Sequence, residues 1–505
     1  MSSTDTISNE EPTRRSNPFA GTYHNDVTNH AARFHARHLA GTVALDLFQE
    51  GVRLAQVFDP AQDSLGVTIL VTACAAITQG WQQSTINASS LRWQSELRQG
   101  GNWENRQLLA GLIDAAPWLS GSLIGTWLSD PLQEALFGRR RALFVSALFC
   151  TAFALATARS KTWVELLVFR MLLGIGIGAK ASVAPVFAAE AAPDHLRGRL
   201  LLMWQLFDAF GIFVGFVCVW IVDMNWRILL GTAAVPTVIL LFLVFLSPES
   251  PRFYIRRKII ERLSRLESQK RLRNNNEESD EWLRCDIYQD EEIKNSTFRK
   301  RIMALWINRR NRRACFAAFI VMASQQMCGV NVLAFYSSAL FERVGNVDRS
   351  SSRNANLDPG TITRVAWLNF GFGLANFIFT IPAYWFIDEQ RPQRGRRLLL
   401  LVSLAGMFAT LVAIRSFYFI SGDRARLGLI SVFTIVIFLF FYGIGAGPVP
   451  FVFCAEVFPF ALREIGMSFS VMINLLGLGL LVLFVPVITQ EFGANGNSVL
   501  LFLFR

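Results

Sequence analysis

Ser324-Gln325-Gln326-Met327-Cys328-Gly329-Val330-Asn331-Val332-Leu333-Ala334-Phe335-Tyr336 lies within an apolar run, Ala314 to Leu340, that contains no charged residue. Two adjacent amides and a third five residues on cannot be left facing hydrocarbon, where an unpaired polar group costs several kcal/mol. They must face protein, water or a ligand. An amide donates and accepts at once, which suits a neutral polyhydroxylated solute. The same amides also serve to bind one helix to another, and this stretch alone leaves both roles open. Gly329 allows the helix to bend or unwind between them.

Around this run the chain is built for a bilayer. Of its 505 residues 52% are hydrophobic and only 17% charged, which sets aside an ordinary soluble enzyme. The net charge of +11 is the excess that membrane proteins carry on cytoplasmic loops, so no nucleic-acid partner is expected. Seven cysteines are scattered, five of them in apolar segments (Cys74, Cys150, Cys218, Cys315, Cys328), without metal spacing. No disulfide, metal or cofactor is expected.

Residues 1–65 are polar, carry His24, His30, His35 and His38, and show no basic segment followed by an apolar one that would mark a cleaved signal. They read as a solvated cytoplasmic tail. Apolar runs long enough to span about 30 Å follow at 66–86, 107–128, 142–159, 164–189, 201–222 and 228–247, and these place an N-terminal six-helix bundle at 66–250. Residues 251–313 form a basic central loop with interleaved acids, helical in places and cytoplasmic by the positive-inside rule. A second series at 314–341, 363–387, 398–420, 427–453 and 467–488 places a C-terminal bundle at 314–505. Ser498 to Arg505 is apolar but under half a span, so a twelfth helix is expected to begin and stop, the mark of a shortened chain. The shorter loops do not set the orientation, because Arg92, Arg98, Arg343 and Arg349 fall on the opposite side.

The two series share their punctuation. Glu190-x2-Pro193-x3-Arg197 follows the fourth span and Glu456-x2-Pro459-x3-Arg463 the tenth, 266 residues apart. Asp130 leads to Gly138-Arg139-Arg140 after the second span, and Asp388 to Gly395-Arg396-Arg397 after the eighth. This is an internal duplication of six spans, the architecture of two parallel halves with a solute site between them. Acids and arginines at helix ends form a two-state latch that closes by pairing and opens by separation. Ordinary charge anchoring accounts for the arginines but not for the spaced glutamates. The expected latch is Asp130, Arg139, Arg140, Glu190, Arg197, Arg396, Arg397, Glu456 and Arg463.

Taken together, Arg170-x3-Gly174-Ile175-Gly176-Ile177-Gly178, the paired Glu-x2-Pro-x3-Arg, Pro248-Glu249-Ser250-Pro251-Arg252, Gln325-Gln326/Gly329/Asn331 and Gly447-Pro448-Val449-Pro450 resemble the sugar porter family of the major facilitator superfamily. The resemblance covers about 66–490. Asp130-Pro131-Leu132 and Gln79-Gly80-Trp81-Gln82 resemble its fungal, inositol-transporter-like branch. It implies an all-α polytopic fold of two pseudo-symmetric six-helix bundles, here eleven full spans and a partial twelfth. It also implies a solute site of Gln205, Gln325, Gln326, Asn331 and Asn376, with Phe335 and Tyr336 closing the outer side.

The chain departs from that pattern in four places. Gln82 stands where proton-using members carry an Asp, which favours facilitated diffusion. Asp114, Lys180 and Asp208 lie within spans, where ionisable groups are costly; Asp114 or Asp208, near Arg170, is a candidate for proton coupling, and a structural pairing or a place near a helix end is the competing account. Phe451 replaces a frequent Trp and leaves room for a polyol. The last span and its following motif are missing. If the native chain ends at Arg505, poor folding or no transport is expected.

The expectation is a monomeric multi-pass transporter in the lipid bilayer, in the plasma membrane with a cytoplasmic N-terminus. It moves a small neutral sugar or polyol by alternating access, as uniport or proton symport. A nutrient sensor using the same site is the alternative, although such sensors need a long tail. No constellation of a membrane enzyme is present. Asn87-Ala88-Ser89 and Asn295-Ser296-Thr297 are weak glycosylation signals.

Overall fold

In hydrocarbon a backbone satisfies its own donors and acceptors only as helix or closed barrel, and this chain takes the helical solution. The computed structural model describes residues 62–97, 106–135, 138–193, 196–222, 225–250, 297–335, 359–387, 392–417, 423–459 and 462–491. All of these belong to one unit, Gly51–Arg505.

Among the described residues ten helices are long and apolar enough to cross a membrane. Six precede the central loop: span one, Leu65–Ser90; two, Leu108–Gln133; three, Arg139–Ala158; four, Trp163–Ala191; five, Arg197–Ile221; and six, Trp226–Leu246. Four follow: span eight, Thr363–Phe386; nine, Gly395–Phe417; ten, Gly428–Val457; and eleven, Arg463–Ile488. The seventh is built differently. A helix Arg309–Met327 opens on Arg309, Arg310, Arg312 and Arg313, stops at Cys328-Gly329, and resumes through Phe335. Gly329 has φ 86°, a left-handed conformation that costs an L side chain roughly 1–2 kcal/mol. The break foreseen at this glycine is therefore present. The partial twelfth span, Tyr336, Asp388 and residues 251–296 lie outside the described residues.

Local chemistry sets several helix starts. The Thr162 hydroxyl accepts from the Glu165 N–H at 3.2 Å, while the Glu165 carboxylate accepts from the Lys161 N–H at 2.8 Å, a reciprocal cap at the head of span four. Asn308 and Asn225 accept from Arg310 and Arg227 N–H groups, each at 3.1 Å, at the heads of spans seven and six.

Without a hydrophobic drive between helices in lipid, close backbone approach does the packing. Spans one and five show it: a Cβ on Gly80 would lie 1.9 Å from the Asp208 carbonyl oxygen, and one on Gly211 would lie 2.3 Å from that of Ile77. The two series of spans pack most extensively along two seams, where span two meets eleven and span five meets eight. The second seam is an aromatic ladder, with ring centroids of Phe210–Phe377 at 5.3 Å, Phe213–Phe370 at 5.4 Å and Trp220–Trp367 at 5.0 Å. Asn87 is buried in span one and donates to the Ala334 carbonyl at 2.7 Å, so that sequon is a helix contact rather than a surface acceptor. Asn295 lies outside the described residues.

Candidate functional site

Span ten carries Pro448 and Pro450. A proline has no N–H to give to the carbonyl four residues earlier, so Pro450 leaves the Ala446 carbonyl without its helical donor. Gln325 fills that gap from span seven. Its Nε2 donates to the Ala446 and Gly447 carbonyls at 3.0 and 2.9 Å. Its Oε1 accepts from Asn474 Nδ2 of span eleven at 2.6 Å. One amide thus ties three helices of the second half together, and its orientation is set by its partners.

The network crosses to the first half through Tyr442. Gln205 of span five donates to the Tyr442 hydroxyl at 3.4 Å, a long bond with little hold. Gln326 accepts from Asn331 across the Gly329 break at 2.5 Å. Asn376 is buried in span eight, and its Oδ1 has no hydrogen-bond partner. The structure therefore brings Gln205 and Gln325 together around Tyr442 and joins Gln326 to Asn331. No hydrogen bond joins Asn376 to the other four. Further buried polar atoms lack partners on neighbouring elements: Gln79 Oε1 and Gln82 Nε2 on span one, Trp118 Nε1 on span two, and Trp204 Nε1 and Asp208 Oδ1 on span five. Buried polar groups are nearly always paired, so these atoms keep unused bonding capacity.

Aromatic contacts lie on both flanks. Phe335 meets Trp118 edge-on at 5.8 Å, joining spans seven and two. Trp204 and Phe451 meet across the halves at 6.1 Å.

At the end of the bundle that holds the Glu-x2-Pro-x3-Arg motifs, the charges form a defined cluster. Arg139 donates from Nε and Nη2 to Glu190 at 3.1 and 2.8 Å and from Nη2 to Glu464 of span eleven at 2.5 Å, and its Nη1 donates to Gln133. Ser250 donates to Glu190 at 2.7 Å. Glu249 accepts from the Arg139 and Arg140 N–H groups, and a Cβ on Gly138 would stand 2.2 Å from its Oε2. Arg396 pairs with Glu456 in the second half as Arg139 does with Glu190 in the first. The duplicated motifs thus fold into the same ion pair twice.

Asp130 adds a further buried ion pair on this side. It takes Arg301 of the helix Phe298–Ile307 at 2.8 Å, both side chains buried. Arg140 donates to the Phe245 carbonyl, Arg397 is exposed, and Arg197 and Arg463 lie partly buried at the starts of spans five and eleven. The Arg139–Glu464 pair and a 2.9 Å Ser129–Ser468 hydrogen bond tie the halves on this side.

The intramembrane charges act on one another in two groups, Arg170 with Asp114 and Lys180 with Asp208. Arg170 donates to the Ile113 carbonyl at 2.7 Å and to the Asp114 carbonyl at 3.4 Å, and its charge acts on the Asp114 carboxylate. Asp208 instead faces the charge of Lys180.

Sequence reasoning missed Asn474, Tyr442, Trp204, Arg301 and Glu464. A lone Asn in an apolar span was a readable signal for the first. The others became visible only through their neighbours.

A family model described as "Sugar (and other) transporter" matches residues 68–504. The chain is 29% identical over 392 residues to the glucose transporter GlcP of Staphylococcus epidermidis, covering 75% of this chain and 79% of that protein. It is 26% identical over 423 residues to myo-inositol transporter 2 of Schizosaccharomyces pombe, covering 81% and 71%. Among solved structures, the proton:xylose symporter XylE bound to 6-bromo-6-deoxy-D-glucose superposes with a TM-score of 0.66 at 19% identity, covering 88% of this chain and 93% of that one. That likeness shows the major facilitator fold.

Proposed function

The chain belongs to the sugar (and other) transporter family, and from that premise we propose that it carries a small neutral polyhydroxylated solute, a monosaccharide or a polyol such as inositol, across a membrane by alternating access. The observation that carries this reading is the amide network of Gln205, Tyr442, Gln325 and Asn474, drawn from spans five, ten, seven and eleven. Spans of both halves contribute, so a solute held there senses their relative position. Gln326, Asn331 and Asn376 extend the proposed contact set. Each hydroxyl–amide bond contributes about 1 kcal/mol net, weak enough singly for release. Relatives named for glucose and myo-inositol fit this class.

Phe335 is the described member of the proposed outer closure, with Tyr336 its expected neighbour. Asp130, Arg139, Arg140, Glu190, Arg197, Arg396, Arg397, Glu456 and Arg463 make the proposed inner latch, to which Arg301 and Glu464 are added. The latch side is taken as cytoplasmic, together with the N-terminus, because the arginines gather there. The plasma membrane is the proposed location. Asp114 with Arg170, and Asp208, are the groups available for proton coupling.

Uptake of labelled myo-inositol and D-glucose into a transport-deficient host, with and without a protonophore, tests the function. Saturable uptake of at least one is expected. Asn376→Ala combined with Gln326→Ala is expected to lower it at least tenfold at normal surface abundance. Unchanged uptake in that double variant removes the proposed site.

A further inference from the structure

We propose that Asp208, facing Lys180 inside the first half, is the proton-binding group through which this transporter couples solute movement to a proton gradient. The proposal rests on the solute-carrier reading above. Lys180 lies near the middle of span four with no solvent exposure, and its Nζ has no hydrogen-bond partner. Asp208 lies near the middle of span five, 6% exposed, with Oδ1 unpartnered. Their charges act on one another. Burial of each charge is costly, and each lies within reach of the other's field. A pair that binds helix to helix would close into direct hydrogen bonds, as Arg139 and Glu190 do. Here the ammonium is held without one, and the carboxylate keeps a free oxygen that can take a proton.

Position gives the pair its role. Asp208 follows Gln205 by three residues and so lies one turn along the same face of span five. Its charge also reaches Tyr442 of span ten, the residue bonded to Gln205. Solute contact and proton site therefore share one wall between the halves. The groups around the pair are Lys180 on span four, Cys74 on span one and Cys150 on span three around the ammonium, and Tyr442 on span ten. Span one packs its Gly80 on the Asp208 backbone and brings the uncharged Gln79 and Gln82. Asp114 also keeps an unpartnered Oδ1, but Arg170 beside it is anchored on backbone carbonyls of span two, and among the described residues no hydrogen bond joins Asp114 to the amide network.

In the coupled cycle a proton from water on the entry side adds to the Asp208 carboxylate and forms the acid. Lys180 keeps its own proton. The pair goes from neutral to a net charge of +1, and the proton returns to water on the exit side. One positive charge thus moves with each solute.

The experiment uses the full chain in proteoliposomes with labelled myo-inositol and D-glucose, comparing uptake under an inward proton gradient with solute counterflow at equal pH. The wild-type protein is expected to accumulate one probe several-fold above equilibrium and to generate an inward current, both abolished by a protonophore. Asp208→Asn is expected to bring the accumulation ratio to about one and to flatten the pH dependence, with counterflow still measurable. Asp208→Glu, which keeps a carboxylate, restores gradient-driven uptake with a shifted pH midpoint and shows that the Asn variant has not merely misfolded. Asp114→Asn slows uptake without flattening its pH dependence. Accumulation by Asp208→Asn equal to wild type, or loss of coupling at Asp114 instead, overturns the assignment. Wild-type counterflow with no response to a proton gradient overturns it and leaves the carrier reading standing. No counterflow of either probe removes the carrier reading itself.

Discussion

Gln325 ties helices together and belongs to the proposed solute site, and a substitution there removes both at once. Its Nε2 replaces the donor that Pro450 withholds from Ala446, so Gln325→Ala leaves a buried carbonyl unpaired at a cost of roughly 1–3 kcal/mol. A lower melting temperature in detergent is expected together with lost transport. Asn474→Ala keeps those bonds but frees the Gln325 carbonyl end. It is expected to weaken apparent solute affinity several-fold with little loss of stability, as read from uptake kinetics and thermal unfolding. On the face of the bundle opposite the latch, Glu96 accepts from Trp226 Nε1 and, at 2.5 Å, from Arg227 Nη1. The Trp226 hydrogen bond first, and the Arg227 one second, hold its carboxyl below its ordinary value of 4.5. A depressed folded-state value stabilises above that ordinary value and ceases to do so as pH falls through the folded one. The pair is nearly half exposed, so the contribution is under about 1 kcal/mol. Glu96→Gln is expected to melt slightly below wild type at pH 7, with the difference vanishing in acid.

Spans seven and five show how a single backbone position decides what a helix does. Gly329 has a positive φ, and the break there lets Gln326 and Asn331 meet, although five residues do not share a face of a continuous helix. Gly329→Ala imposes about 1–2 kcal/mol of strain and favours a straight helix. Circular dichroism is expected to stay helical while substrate affinity falls. Gly211→Leu acts on packing instead, since a Cβ would stand 2.3 Å from the Ile77 carbonyl oxygen, a backbone atom that cannot step aside. Loss of folded protein, seen by size-exclusion chromatography, is the expected result. The sequence announced the helices because apolar runs of membrane length are hard to build otherwise. It announced the glycine break only as a permission, because the torsion adopted depends on what the two pieces of the helix pack against.

At the scale of the molecule, contacts between the halves hold one state. Arg139–Glu464 and Ser129–Ser468 tie one end, Trp204–Phe451 lies beside the amides, and Asn87–Ala334 and Trp118–Phe335 join the first half to span seven. Glu464→Ala removes one inner tie while Glu190 still neutralises Arg139. It is expected to shift the population towards an open latch side, raising the labelling rate of a cysteine introduced at Ser468 at least twofold. Arg301→Ala breaks the buried ion pair with Asp130 and is expected to destabilise the fold, measurable as a lower melting temperature.

Hydrophobic length, duplicated charge spacing and amides in an apolar run determined, from the sequence alone, a membrane fold of two repeated halves and the residues that must avoid lipid. Those are constraints each segment obeys by itself, because hydrocarbon penalises every unpaired group wherever it sits. Only the tertiary structure decided the pairings: Asp130 with Arg301, Gln325 with a proline-made gap, Arg139 with Glu464. Pairing depends on distances between helices far apart in the chain, and many registers of the same side chains satisfy the same spacing along it.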